Sequence, residues 1–309
     1  MSTPPLIHLD TNHLINIARM RNSKSLDSAE QHREAYKTIS DWILGGTCSL
    51  TFYPVLLIEW LDGCANDQNA EEIAAVLDSA QNLVRVEMSF FTFKLEILAA
   101  VRQRFPQLPV RSVPILQPMG TCENAVNALR HVDPIAQRMA SSAGGRSFRF
   151  PPTAREQIVG AREYVDEEIQ EFPTWQQFVT ECRSVQPDVR AFMQVMALRA
   201  VEPILPNLWP GQSPEQIVQA ADLERCRGFT LRTKVLRQYI WSSAKVKHND
   251  ILDVDQAHIP AYADFVLTER RMRHLYHTAD SHLESVVFSS PTDFVHQIRS
   301  RITSDTGDS

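Results

Sequence analysis

Leu6-Ile7-His8-Leu9-Asp10-Thr11-Asn12-His13-Leu14-Ile15 is the stretch that decides the architecture of this chain. An apolar run of strand length ends in an acid, two small polar residues follow, and an amphipathic pattern begins at once. Leu6, Ile7 and Leu9, broken only by His8, suit a strand buried in a parallel sheet, although a run this short also fits a helix fragment. Leu14, Ile15 and Ile17 then share one helical face, and Thr11 or Asn12 is expected to cap the helix start. Asp10 therefore stands where a strand hands over to a helix. In open α/β folds that edge of the sheet is where ligands bind. An aspartate there is equally well a plain helix cap.

The rest of the composition narrows the field. A chain of 309 residues, 43% hydrophobic and 22% charged, has ample material for one large domain or two ordinary ones. No apolar run approaches the ~20 residues of a membrane helix, and the N-terminus shows no basic segment followed by an apolar signal core. The five cysteines, Cys48, Cys64, Cys122, Cys182 and Cys226, are odd in number, far apart and without a CxxC pair. A disulfide framework or a zinc finger is thus not expected, and a cytoplasmic location is. The net charge of −6 provides no global basic field, so a nucleic-acid role must rest on a local basic surface and on metal ions. The ten glycines include no Gly-rich loop followed by Lys-Ser/Thr, which argues against a P-loop.

Outward from the first motif, Ala29 to Leu44 reads as a helix ended by Gly45-Gly46, and Cys48 to Phe52 as a strand. Pro54 opens a nearly all-apolar helix, Val55 to Leu61. Asp67 to Ser79 and Phe91 to Phe105 read as further helices, with a strand at Leu83 to Val86. Four prolines between Pro106 and Met119 predict irregular structure there. From about Glu123 to Ser243 the pattern is helical. Asn249-Asp250 then opens a helix to about His258, Phe265 to Thr268 is a strand, Glu269 to His277 a basic helix, Ser285 to Phe288 a strand, and Pro291 to Ile302 a closing helix. Helices between a β-α start and a β-α-β-α finish imply a parallel sheet whose central strands come from both ends of the chain. The expected divisions are an α/β core over 1–105 and 246–303, a helical insertion over 106–245, and a frayed tail at 304–309.

Four places put an acid where such a sheet gathers its active edge: Asp10, Glu59, the Asp250/Asp253 pair, and Glu269 after the strand ending at Thr268. Glu59 stands amid Leu56, Leu57, Ile58, Trp60 and Leu61, where a lone buried charge needs a partner, a cation or the surface. Asp250 and Asp253 are spaced to share a helix face. Two carboxylates ~5 Å apart repel by about 3 kcal/mol at an effective dielectric of ~20. Converging acids therefore call for a hard divalent cation, Mg²⁺ or Mn²⁺, and such a site favours metal-assisted hydrolysis of phosphodiesters.

Leu9-Asp10-Thr11-Asn12-His13-Leu14-Ile15, Glu59 in a helix after a Thr-containing strand, Asn249-Asp250-Ile251-Leu252-Asp253, and Phe265-Val266-Leu267-Thr268-Glu269-Arg270-Arg271-Met272 occur in the order and setting of PIN-domain nucleases, which the chain resembles over about 5–62 and 246–300. The resemblance implies a PIN-like, Rossmannoid α/β fold, a central parallel sheet flanked by helices, here with a helical insertion. It implies hydrolytic cleavage of RNA, or of DNA flaps, with bound Mg²⁺ or Mn²⁺. Asp10 would be the first ligand, Glu59 the second, and Asp250 the third with Asp253 as competitor or helper. Thr11 and Asn12 would position a water or phosphate. The acid after Thr268 is usually Asp in that family and is Glu269 here, which leaves a catalytically silent scaffold for RNA or protein as the alternative. Relatives include toxins held silent by a partner and defence effectors, so the resemblance also implies a regulatory or inhibitory protein partner. The oligomeric state stays open.

A basic strip of Arg270, Arg271, Arg273, His274 and His277 follows the last motif and is read as a phosphate grip beside Thr268, or else as a solvated helix face. A second concentration, Arg225, Arg227, Arg232, Lys234, Arg237, Lys245 and Lys247 with Tyr239 and Trp241 interleaved, leads into Asp250 and would suit a single strand. The histidines show no zinc spacing, and His8 and His258 read as core or surface residues. Neither GxSxG nor a recommended nucleophilic cysteine is present.

Overall fold

Strand β1 (Leu6–Leu9) forms because Ile7, His8 and Leu9 are all buried, as befits a strand covered on both faces. It pairs in parallel on both sides. Ile7 faces Leu50 of β2 (Ser49–Phe52) and also Phe265 of β5 (Phe265–Leu267), while Leu9 faces Leu267. The computed structural model describes residues 3–53, 67–107, 113–141, 143–144, 146–157, 176–183, 188–209, 211, 213–241 and 249–307. The remaining labelled elements are α1 (Thr11–Arg21), α2 (Arg33–Leu44), α3 (Asp67–Asp78), β3 (Leu83–Val86), α4 (Ser89–Arg104), β4 (Leu116–Pro118), α5 (Ala125–Leu129), α6 (Pro134–Ser141), α7 (Val189–Val201), α8 (Leu205–Leu208), α9 (Pro214–Ala220), α10 (Arg227–Trp241), α11 (Asn249–Asp255), α12 (Arg270–Ala279), β6 (Val287–Phe288) and α13 (Pro291–Gly307). Helical residues also occur at 154–157 and 176–183.

The sheet has six strands in the order β4-β3-β2-β1-β5-β6. The pairings β3-β2, β2-β1, β1-β5 and β5-β6 are parallel, which makes the protein an α/β protein with a mostly parallel sheet flanked by helices. From β1 the chain builds outward through β2 and β3, and it later returns on the opposite side as β5 and β6. Strand order therefore reverses between β1 and β5.

Two compact units divide the chain: Met1–Arg85 with Thr153–Glu168 and Tyr262–Ser309, and Val86–Pro152 with Ile169–Ala261. In the first, Ile7 of β1, Leu14 and Ile17 of α1 and Ile39 of α2 have zero exposure. Gly46, at φ +70°, turns the chain between α2 and β2. A Cβ there would meet only the flexible end of Gln81, so the left-handed backbone sets the cost of a side chain. Gly46→Ala is expected to lower stability by about 1–2 kcal/mol, read as a drop in the urea midpoint.

The second unit packs around α4. Phe91, Phe93, Ile97 and Val101 bury against Met193, Ala197 and Val201 of α7. The Glu96 carboxylate accepts from the Gly228 and Phe229 N–H groups at 3.1 and 2.7 Å, and so closes the start of α10. Lys94 and Asp133 form an ion pair whose side chains are only 8% and 0% exposed.

Several local expectations are corrected. Asp27–His32 is a 3-10 turn, so the helix expected from Ala29 begins at Arg33. The proline-rich segment is not wholly irregular, because Leu116–Pro118 is strand β4. β4 lies at the sheet edge, where proline is tolerated. The helix from Asn249 stops at Asp255 and gives way to a 3-10 turn, Gln256–Ala261, that contains Pro260. A proline ring there would clash with an α-helical carbonyl four residues back. The closing helix, expected to end at Ile302 before a frayed tail, runs to Gly307, the first strong stop signal. The expected helix Val55 to Leu61, with Glu59, lies outside the described residues, as do Cys64, Lys245 and Lys247. The described cysteines, Cys48, Cys122, Cys182 and Cys226, are free thiols. Among the described residues no helix is long and apolar enough to cross a membrane.

Candidate functional site

The carboxyl ends of β1 and β5 lie side by side where strand order reverses, and each hands over to a helix. β1 is followed by Asp10 and α1, and β5 by Thr268, Glu269 and α12. The Asp10 N–H extends the ladder by donating to the Leu267 carbonyl at 3.0 Å. Of the two capping alternatives, Asp10 is the cap of α1, in place of Thr11 or Asn12: its Oδ1 accepts from the Thr11 N–H at 2.7 Å. The cap is satisfied by one oxygen only. Oδ2 accepts from the Thr268 hydroxyl at 3.1 Å, and the Glu269 backbone adds to what favours the ionised form.

These donors favour the ionised acid, yet burial outweighs them and pushes the Asp10 carboxyl above its ordinary value. Asn12 does something the sequence did not suggest. Its amide donates to the Glu269 carboxylate, tying the start of α1 to the start of α12. The structure thus gathers Asp10, Thr11, Asn12, Thr268 and Glu269. Arg270, Arg271, Arg273 and His274 project outward from α12, whose inner face is Met272, Leu275 and Tyr276.

Asp250 and Asp253 belong to the second unit. Asp250 is 3% exposed and accepts from the Tyr239 hydroxyl. Of the second basic concentration, Arg225 pairs with Asp222 at 2.9 Å, and the Arg232 and Arg237 guanidinium groups lie over the rings of Phe93 and Trp241. His8 and His258 are buried, as a core reading implies. His8 meets the Thr51 hydroxyl at 2.7 Å, and His258 spans the Asp255 and Glu87 carbonyls.

Three residues escaped the sequence reading. Glu87 follows β3 just as Asp10 follows β1, so the same strand-then-acid pattern marked it. It is wholly buried in the second unit and accepts from the Met88 and Ala125 N–H groups and the Gln117 amide. The other two, His13 and Tyr36, lie in the first unit. His13 is buried on α1, and its Nδ1 is 2.9 Å from the Tyr36 hydroxyl.

Burial lowers the His13 pKa to about 4 against an ordinary 6.5. The unfolded chain therefore binds a proton that the folded chain refuses. Stability from this residue is complete above pH 6.5 and is lost as pH falls from there towards 4, by roughly 3 kcal/mol. Urea unfolding between pH 7.5 and 4.5 checks this, and His13→Gln is expected to remove that share of the acid sensitivity.

Among the described residues no three His, Cys, Asp or Glu side chains gather as a ready metal cage. Asp10 and Glu269 are an all-oxygen pair at one sheet edge. That donor set fits a small hard cation, which commonly takes one or two carboxylates and fills its shell with water and phosphate. The fold defines an α/β protein with Asp10, Thr268 and Glu269 at its topological switch point. No protein-family model, curated protein or solved structure matches the chain.

Proposed function

We propose that the sheet edge at the carboxyl ends of β1 and β5 is the active centre of a Mg²⁺- or Mn²⁺-dependent endoribonuclease with a PIN-like core. One observation carries this reading: Asp10 accepts from the Thr268 hydroxyl where strand order reverses, far apart in sequence, and the neighbouring Asn12 amide reaches the Glu269 carboxylate. Asp10 and Glu269 would hold the cation, with Glu59 as the further candidate. When bound, the ion supplies charge neutralisation and an acidified water. The chain's own residues do the rest. Thr11 and Thr268 fix the Asp10 carboxylate in one orientation, and Asn12 restrains Glu269. The exposed Arg270, Arg271 and Arg273 offer positive charge to a phosphate backbone without reading its sequence.

A second reading is a silent PIN-like scaffold that binds RNA or a protein partner. It is favoured by the donors already set on both Asp10 oxygens and by the Asn12 amide on Glu269, which together suit a structural cap. Purified chain incubated with mixed RNA and Mn²⁺, with and without EDTA and beside flap DNA, separates the readings. Shortened RNA that EDTA abolishes is the expected result. Intact RNA and DNA throughout would reject the nuclease and leave the scaffold, and preferential cutting of the flap would move the substrate to DNA.

A further inference from the structure

We infer that Asn12 is a positioning residue for this site, taking one Glu269 oxygen with its amide so that the other, Oε2, is held ready for the cation. The inference rests on the nuclease reading above and adds to it how a glutamate serves at position 269. Glu269 stands at the N-cap of α12, yet its side chain makes no cap bond to that helix. It turns instead to the start of α1, where Oε1 accepts from the Asn12 amide across 257 residues of chain. Oε2 accepts from no described residue. The two acids of the edge are therefore unequal. Each Asp10 oxygen already carries a donor, the Thr11 N–H on Oδ1 and the Thr268 hydroxyl on Oδ2. Of the two acids, only Glu269 offers an oxygen with no donor on it, and a hard cation takes such an oxygen.

An open oxygen is of little use on a swinging arm. A glutamate side chain is long and rotamer-rich, and Asn12 and Glu269 are both exposed, so burial does not fix the carboxylate. The amide does. It ties Glu269 to α1, the helix that Asp10 starts, while Thr268, the residue before Glu269, touches Asp10 through its hydroxyl. Reach matters as well. Asparagine brings a single methylene to the contact and glutamate brings a pair, so an aspartate at 269 falls one methylene short of Asn12. Moving that methylene to the other partner, as Asn12→Gln with Glu269→Asp does, keeps the span. Partners that orient a carboxylate at a metal site are commonly worth about 10- to 100-fold in metal affinity, and an exposed one belongs at the lower end.

The test reads Mn²⁺ binding to the full-length chain from the electron paramagnetic resonance of the free ion. It compares wild type, Asn12→Ala, Glu269→Asp, the double variant Asn12→Gln/Glu269→Asp, and Asp10→Asn. Asn12→Ala and Glu269→Asp are each expected to weaken Mn²⁺ binding by about 10-fold with the melting temperature unchanged. The double variant is expected to recover to within about 3-fold of wild type, a coupling that independent sites do not show. Asn12→Ala binding Mn²⁺ as well as wild type, or more tightly, would overturn the inference, since the amide would then be idle or a competitor. So would a double variant that binds no better than Glu269→Asp. RNA cleavage on the same preparations separates this inference from the reading beneath it. Unchanged Mn²⁺ binding by Asn12→Ala in a chain that cuts RNA removes the role of Asn12 alone. The expected order of affinities with RNA left intact removes the nuclease and keeps that role. Wild type binding no more Mn²⁺ than Asp10→Asn removes both.

Discussion

Asp10→Asn is expected to reduce metal-dependent RNA cleavage by more than about 100-fold while shifting the melting temperature by only a few degrees. Asparagine caps helices as well as aspartate does, so its side-chain oxygen can keep the Thr11 N–H bond that starts α1. The hydroxyl of Thr268 can reverse and accept from the new amide. One of the donors now shared by the carboxylate loses its acceptor, but the cost of keeping a charge in a buried place disappears as well. The negative charge is what the substitution removes, and with it the anchor that the proposed function assigns to a divalent cation. Single-turnover cleavage and thermal melts on the same preparation check both halves. Retained cleavage would disqualify Asp10 as a ligand, whereas a collapsed melt would make it a structural cap first.

The largest expected effect on stability is in the second unit. Asp133→Ala is expected to cost about 3–5 kcal/mol, because it leaves the Lys94 ammonium buried without its counter-charge. It also removes the cap of α6, where Asp133 Oδ1 accepts from the Ile135 and Ala136 N–H groups, both at 2.9 Å. The rings of Phe90 and Phe91, 5.7 and 5.8 Å from the Lys94 nitrogen, offer only partial compensation. Lys94→Met is the milder change, since Asp133 keeps its backbone donors and the methionine fills the space. Urea unfolding of the full chain orders the two. Equal losses would mean that the pair is wetter than its burial indicates.

Much of the candidate site is legible in the sequence. The pairing of an apolar run with a following acid, at Leu6 to Asp10 and again at Phe265 to Glu269, depends on residues within a few positions of one another, and each strand formed with its acid at the carboxyl end. The same pattern at Leu83 to Glu87 passed unnoticed, because the burial that gives Glu87 its meaning comes from β4, α5 and the turn at His258. Asp250 shows the converse. Its spacing suggested a ligand, but spacing carries no information about a tyrosine eleven residues earlier whose hydroxyl reaches its carboxylate.

The sequence by itself determined the alternation of strands and helices, the acids at strand ends and the basic face of α12, since apolar runs, helix periodicity and charge are local properties. Only the tertiary structure decided that Thr268 stands against Asp10 across 258 residues of chain, and that the Asn12 amide reaches Glu269 across 257. Strand order and register set those meetings. They follow from which apolar faces bury against each other over the whole chain, and no short window of residues contains that choice.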